Sequence, residues 1–348
     1  MNNETKKLLF NNLKLLNETC IYNNNNVYLF GQFNKLKINT IDCYDEKNNS
    51  IDTSITYCNV RRKPYFYIKF VNINDIKDYV NKEISINVNN YYNFKIILKF
   101  PFLNDIFNTI NKNSNIILTM CKNYNNRLDE WIKYNLKLGY DNIIIFNNDS
   151  NKKNRLNESI INKCNDIDGN IRLVTDKYKD KVIVIDFPYT PLHKIHYDTI
   201  QHSAYHIGTT VLKDKCKTIT YIDADEFIYI PNNNNIKKFL LNYNNTLTIQ
   251  SNIITNYNNE DIIDNNILSL SRYVGQDKYT KIILFTHELL YNHNGNDEIF
   301  FVCTPHYFKN SKIMDKSIII HYHAWVNKRC EYNKEMCKID ILYDFYNK

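Results

Sequence analysis

The chain has 348 residues, 43% of them hydrophobic and 23% charged, and carries a net charge of +7. That length can bury a sizeable core and leaves room for one large domain and a smaller one. The charge suits a small anion such as a nucleotide diphosphate but is too sparse for a nucleic-acid binder, so no nucleic-acid partner is expected.

No apolar run approaches the ~18–20 residues of a membrane helix. Near the start, Asn11 and Asn12 interrupt any leader-like segment. The nine cysteines are scattered without a CxxC pair, which favours reduced thiols over a disulfide framework or a zinc site. A cytoplasmic protein with no transmembrane segment is the expectation.

Taken in order, residues 1–20 place Leu and Phe among Lys and Asn at roughly helical spacing. Short runs rich in β-branched and aromatic residues follow at 27–33, 64–71, 83–88 and 94–100, with an Asn/Asp turn around 45–50. Residues 1–110 therefore read as a β-rich accessory module, and Arg61, Arg62 and Lys63 as a solvated turn in preference to an anion contact. Asparagine runs such as 23–26 and 232–235 read as compositional drift in loops.

From Asn115 the pattern changes to strands alternating with helices. NIILTMC is a short apolar strand. Leu128, Trp131, Ile132 and Leu136 then share a helical face that ends at Gly139, with Trp131 in the core. DNIIIFNNDS reads as a second strand, IRLVTD and KVIVIDF together supply one or two more, and 191–213 contains a helix. Such alternation predicts an α/β fold with a Rossmann-like, mostly parallel sheet and helices on both faces, spanning residues 111–348.

The next strand carries ITYIDADEFIYI. In an extended segment Asp223 and Asp225 lie on one face, with Ala224 between them. Two adjacent carboxylates repel unless a cation sits beside them, so the pair reads as a divalent-metal site at the carboxyl edge of a central strand. An acidic loop closing a strand would have the same appearance.

Four blocks in order resemble glycosyltransferase family 92 and related family-2-like transferases over about residues 115–338. The first is CKNYNNRLDEWIKYNLKLGYDNIIIFNNDS. Gln201, Tyr205 and His206 lead into the second, YIDADEF. RYVGQDKYTKIIL and IIIHYHAWVNKRCEYNKEMCK are the third and fourth. The chain departs from the family pattern at Tyr124, Asn147 and Ile207, and it lacks a Phe-Gly pair near 256–260.

The resemblance implies a GT-A fold, a nucleotide-sugar donor such as a UDP-sugar, a glycan acceptor and Mn2+ or Mg2+. It also implies an order of roles. Asp225 is the first metal ligand. Asp223 contacts the metal or the donor ribose, and Glu226 is either a supporting residue or a salt-bridge partner. His321 is a further metal ligand, with His323 and His306 behind it. Lys122, Asn123, Asn148 and Asp149 line the nucleotide, Arg272 and Lys281 clamp phosphates, and Trp325 stacks on a sugar or packs. For an inverting reaction, Asp297 or Glu298 takes the acceptor proton, with Asp277 and Glu260 as competitors. Two other readings stay open: a nucleotidyl- or phosphotransferase, and a glycan-binding protein of the same fold without turnover.

Overall fold

The computed structural model describes residues 13–33, 38–60, 63–90, 92–121, 128–148, 171–190, 198–230, 235–255, 273–289 and 312–322. These form a mixed α/β protein built mostly of strands. Its helices are α1 (Leu128–Leu138), α2 (Arg172–Thr175), α3 (Asp198–Leu212) and α4 (Ile236–Leu240). The chain divides into two units. One gathers the described residues up to Thr109 together with Ile185–Val211. The other takes Ile110–Val184 and the described residues from Leu212 onward.

The first unit contains β1 (Leu13–Leu15), β2 (Ile21–Asn23), β3 (Asn26–Phe33), β4 (Ile41–Tyr44), β5 (Ser50–Ile51), β6 (Thr53–Val60), β7 (Lys63–Phe70), β8 (Glu83–Val88) and β9 (Tyr92–Ile97). They build two antiparallel sheets, ordered β1-β3-β7-β6 with β2 paired to β3, and β5-β4-β8-β9. Val27, Leu29, Phe66, Ile68 and Phe70 from one sheet share a core with Cys43, Ile51, Ile84, Ile86 and Val88 from the other.

Burial along β3 is continuous rather than alternating, so both of its faces are covered. On the second face Gln32 donates to Ser203 of α3 at 2.7 Å, and the Tyr65 ring stands edge-on to His206 at 5.0 Å. The helix foreseen within 191–213 thus groups with the N-terminal strands.

The asparagine run at 23–26 turns out to have structural work. Asn24 and Asn25 both take positive φ, 49° and 58°, and close the β2–β3 hairpin between the paired Asn23 and Asn26. A two-residue hairpin of this hand needs left-handed residues, which Asn tolerates better than most. Asn48, Asn72, Asn81, Asn89 and Asn90 do the same at other turns of this unit.

The second unit holds an eight-stranded sheet made of β10 (Asn115–Cys121), β11 (Asn142–Asn147), β12 (Val182–Asp186), β13 (Thr218–Tyr221), β14 (Glu226–Tyr229), β15 (Leu247–Thr255), β16 (Tyr273–Phe285) and β17 (Lys312–Tyr322), in the order β12-β11-β10-β13-β16-β15-β17-β14. β10 runs parallel to both β11 and β13. All seven residues of β10 are buried, as expected of a strand covered on both sides. α1 lays Leu128, Trp131, Ile132 and Leu138 against this core, and Gly139 ends it at φ +105°.

Several expectations are corrected. The sheet is mixed rather than mostly parallel: β16 runs antiparallel to β13 and β15, and β17 antiparallel to β14. Antiparallel neighbours need no crossover helix between them, and helices are few among the described residues. The stretch 219–230 is two strands, β13 inside the sheet and β14 at its edge. IRLVTD is helical, because Ile171, Val174 and Thr175 meet the core at helical spacing while Leu173 is 62% exposed. The described part of the first twenty residues is β1 followed by a single 3-10 turn, since pairing to β3 overrides the helical spacing.

Candidate functional site

Parallel strands end together, so the carboxyl ends of β10, β11 and β13 meet on one edge. There Asn148 donates its backbone N–H to the Cys121 carbonyl at 2.7 Å, and both residues are buried. β13 stops at Tyr221, and the chain turns through Asp223, Ala224 and Asp225 before β14 begins at Glu226. The Glu226 N–H donates to the Asp223 carbonyl at 3.0 Å, while the Asp223 N–H donates to Glu226 Oε2 at 2.7 Å. Asp223 opens this turn, a position Asp favours. The extended geometry that would align residues 223 and 225 on one face is therefore absent.

Lys281 of β16 completes the turn. Its Nζ lies 2.6 Å from Asp223 Oδ2 and 2.9 Å from Glu226 Oε2. The Lys281 and Glu226 side chains are almost wholly buried, at 2% and 1% exposure, whereas Asp223 keeps 32%. Burial alone would lower the Lys281 pKa, but the two carboxylates outweigh it and hold the ammonium above its ordinary value of 10.5. Of the two roles open to Glu226, the structure gives it that of salt-bridge partner.

The Cys121 thiol is pushed well up by burial and then by the charges of Asp223 and Asp225, so both aspartates act on the end of β10. Two carboxylates, those of Asp223 and Glu226, face the one ammonium of Lys281.

The edge of β14 is held from α1. Trp131 Nε1 donates to the Glu226 carbonyl at 2.8 Å, and Tyr134 donates its hydroxyl to the Ile228 carbonyl at 2.6 Å. These aromatics sit three apart on α1, on one helical face, and reach alternate residues of the strand. Glu226 thus has its carbonyl tied to α1 and its carboxylate tied to Lys281.

The backbone of His321, in β17, pairs directly with that of Glu226. Lys122, Asn123, Asp149, Glu260, Arg272, Asp297, Glu298, His306, His323 and Trp325 lie outside the described residues. Among the described residues, no group of three or more His, Cys, Asp or Glu side chains is arranged to hold a metal ion. The turn carries carboxylate oxygens at Asp223 and Asp225, the donor type that manganese and magnesium prefer. In donor chemistry the two aspartates fit such an ion.

Sequence reasoning missed the Lys281–Glu226 pair and the two donors from α1. No local pattern marks a pairing between residues so far apart. Compared with protein-family models and with curated proteins, the chain matches none. No helix among the described residues is long and apolar enough to cross a membrane.

Proposed function

We propose that the chain is a metal-dependent glycosyltransferase of GT-A fold, moving a sugar from a nucleotide-diphosphate donor such as a UDP-sugar to a glycan hydroxyl. The observation that carries the reading is the Asp223–Ala224–Asp225 turn at the carboxyl edge of a sheet whose first strands run parallel, where ligands of open α/β sheets bind. The resemblance of four sequence blocks to family 92 supports it, as does the antiparallel strand β16 beside β13.

A bound Mn2+ or Mg2+ would offset the negative charge that builds on the departing diphosphate. Asp225, with Asp223 and His321, would hold it. Asp223 would also orient the donor ribose, its carboxylate steadied by Lys281. Asn148, with Lys122, Asn123 and Asp149, would line the nucleotide, and Arg272 would face phosphate. Lys281, buried between two carboxylates, acts on Asp223 rather than on phosphate in this reading. Asp297 or Glu298 would take the proton from the acceptor hydroxyl, so that the anomeric centre inverts.

The test is hydrolysis and transfer across a panel of nucleotide sugars, with and without Mn2+. Turnover of at least one donor only with metal is expected. Turnover of nucleoside triphosphates without sugar transfer would make the chain a nucleotidyl- or phosphotransferase. Glycan binding with no donor binding in calorimetry would make it a binding protein.

A further inference from the structure

Lysines gather at the amino edge of the second unit's sheet, where its parallel strands begin. Lys217 directly precedes β13, Lys181 directly precedes β12, and Lys112 lies in the turn before β10. The Ile143 N–H donates to the Lys181 carbonyl at 2.8 Å, and the Lys217 N–H to the Ser114 carbonyl at 2.8 Å, which ties these starts together. Helix α4 brings Lys237 and Lys238 to the same edge. Its N-cap, Asn235, lies against Gly139 just before β11, and Lys237 pairs with Asp141 at 2.5 Å.

Among the described residues Lys112, Lys181, Lys217 and Lys238 enter no ion pair, and three of the four are exposed. Two acids of the edge are occupied by backbone: Asp141 accepts the Asn115 N–H at 2.9 Å, and Glu288 the Thr246 N–H at 2.6 Å. Exposed acids beside the lysines, Asp180 and Asp214, are fewer. Leu241, the C-cap of α4, is 74% exposed, the most of any large apolar side chain among the described residues.

The geometry points to this amino edge as a docking surface for an anionic phospholipid bilayer. The strands β13, β10, β11 and β12 are neighbours in that order, so their starts spread over roughly 14 Å. A free phosphate would meet one or two of the lysines, whereas a plane of headgroups meets them together. The named cations are all lysines, point charges suited to diffuse attraction, rather than arginines with a fork shaped for one fixed phosphate or base. Leu241 beside Lys237 and Lys238 adds the apolar contact that a bilayer rewards and a soluble polyanion does not. Seated this way, β10, seven residues long, holds the Asp223–Glu226 turn roughly 20 Å from the headgroups, at the opposite end of the sheet. The docking surface is independent of whatever reaction that turn supports.

The experiment sediments the full chain with vesicles of phosphatidylcholine alone, or with about one-third phosphatidylserine added. Binding to the anionic vesicles alone is expected, falling at least tenfold between about 0.1 M and about 1 M salt. Each lysine removed should weaken it about fivefold, so Lys181→Ala/Lys217→Ala/Lys238→Ala should weaken it roughly a hundredfold. Where the triple variant does not fold, the exposed single sites Lys181→Ala and Lys238→Ala should each show the fivefold loss. Leu241→Ser should weaken binding several-fold.

No binding to the anionic vesicles, equal binding to neutral ones, or a folded lysine variant that binds like the wild type overturns the inference. So does equally tight binding to poly-glutamate or duplex DNA that ignores Leu241→Ser, which would make the edge a surface for a soluble polyanion.

Discussion

Tyr134→Phe isolates the hold of α1 on β14. The substitution removes one hydroxyl from a fully buried ring and leaves the Ile228 carbonyl, its partner at 2.6 Å, without that donor. Burial pushes the Tyr134 phenol well above its ordinary value of 10.0, so it remains a donor throughout any practical assay. Leaving a buried acceptor short of its donor costs about 1–3 kcal/mol. In a domain of 150–250 residues each kcal/mol lowers the melting temperature by about 2–4 °C, so a fall of roughly 4–8 °C is expected for a mid-range loss. Because β14 is an edge strand, the damage should stay local. Hydrogen exchange should speed up at the amides of Glu226–Tyr229 while β10, buried in the sheet interior, stays protected. Trp131→Phe should cost more, since it also removes ring volume from a fully buried site. A Tyr134→Phe protein that melts within about 1 °C of the wild type, with unchanged exchange in β14, would refute the claim that α1 caps this edge.

Asp225→Asn should abolish metal-dependent turnover while leaving the metal-free melt nearly unchanged; a large loss of metal-free stability would mark Asp225 as structural instead. Gly31→Ala should destabilise the first unit by about 1–3 kcal/mol, because the added Cβ would lie 2.3 Å from Phe66 Cζ. Phe66→Leu should recover part of that loss in denaturant titrations. Gly139→Ala should cost about 1–2 kcal/mol through its φ of +105°, as read by chemical denaturation. Burial lowers the Lys14 pKa from 10.5 to about 8 while Nζ donates to the Thr190 carbonyl and hydroxyl. Between those two values the unfolded chain holds a proton that the folded chain has lost, so this group makes stability rise with pH across that window. Lys14→Met should remove that part of the slope in melts taken from pH 7.5 to 10.5.

What could be read in advance was local. Leu128, Trp131 and Ile132 at helical spacing, closed by Gly139, marked α1 almost to the residue. The β-branched runs marked β3, β7, β8, β10 and β11. Pairing between distant segments left no such mark. Nothing in ITYIDADEFIYI shows that its halves join different parts of the sheet, because the turn is closed by Glu226 and Lys281, and Lys281 comes from β16. Lys281 was legible as a basic residue beside the site, but its burial depends on the neighbouring strands. The left-handed asparagines show a different limit. Asn24 and Asn25 carry a clear turn signal, hidden within a composition in which Asn is common everywhere.

Helix α3 is encoded after β10, β11 and β12, yet most of it belongs with the N-terminal strands. A nascent chain emerging from the ribosome can therefore pair β3 with β7 early but must wait about 130 further residues of synthesis before Ser203 and His206 arrive to cover Gln32 and Tyr65. Meanwhile Gln32 and the Tyr65 ring lack the partners that α3 will bring them. The first unit to begin folding cannot be finished until much of the second has been made, and a fragment cut near residue 110 would lack those partners permanently.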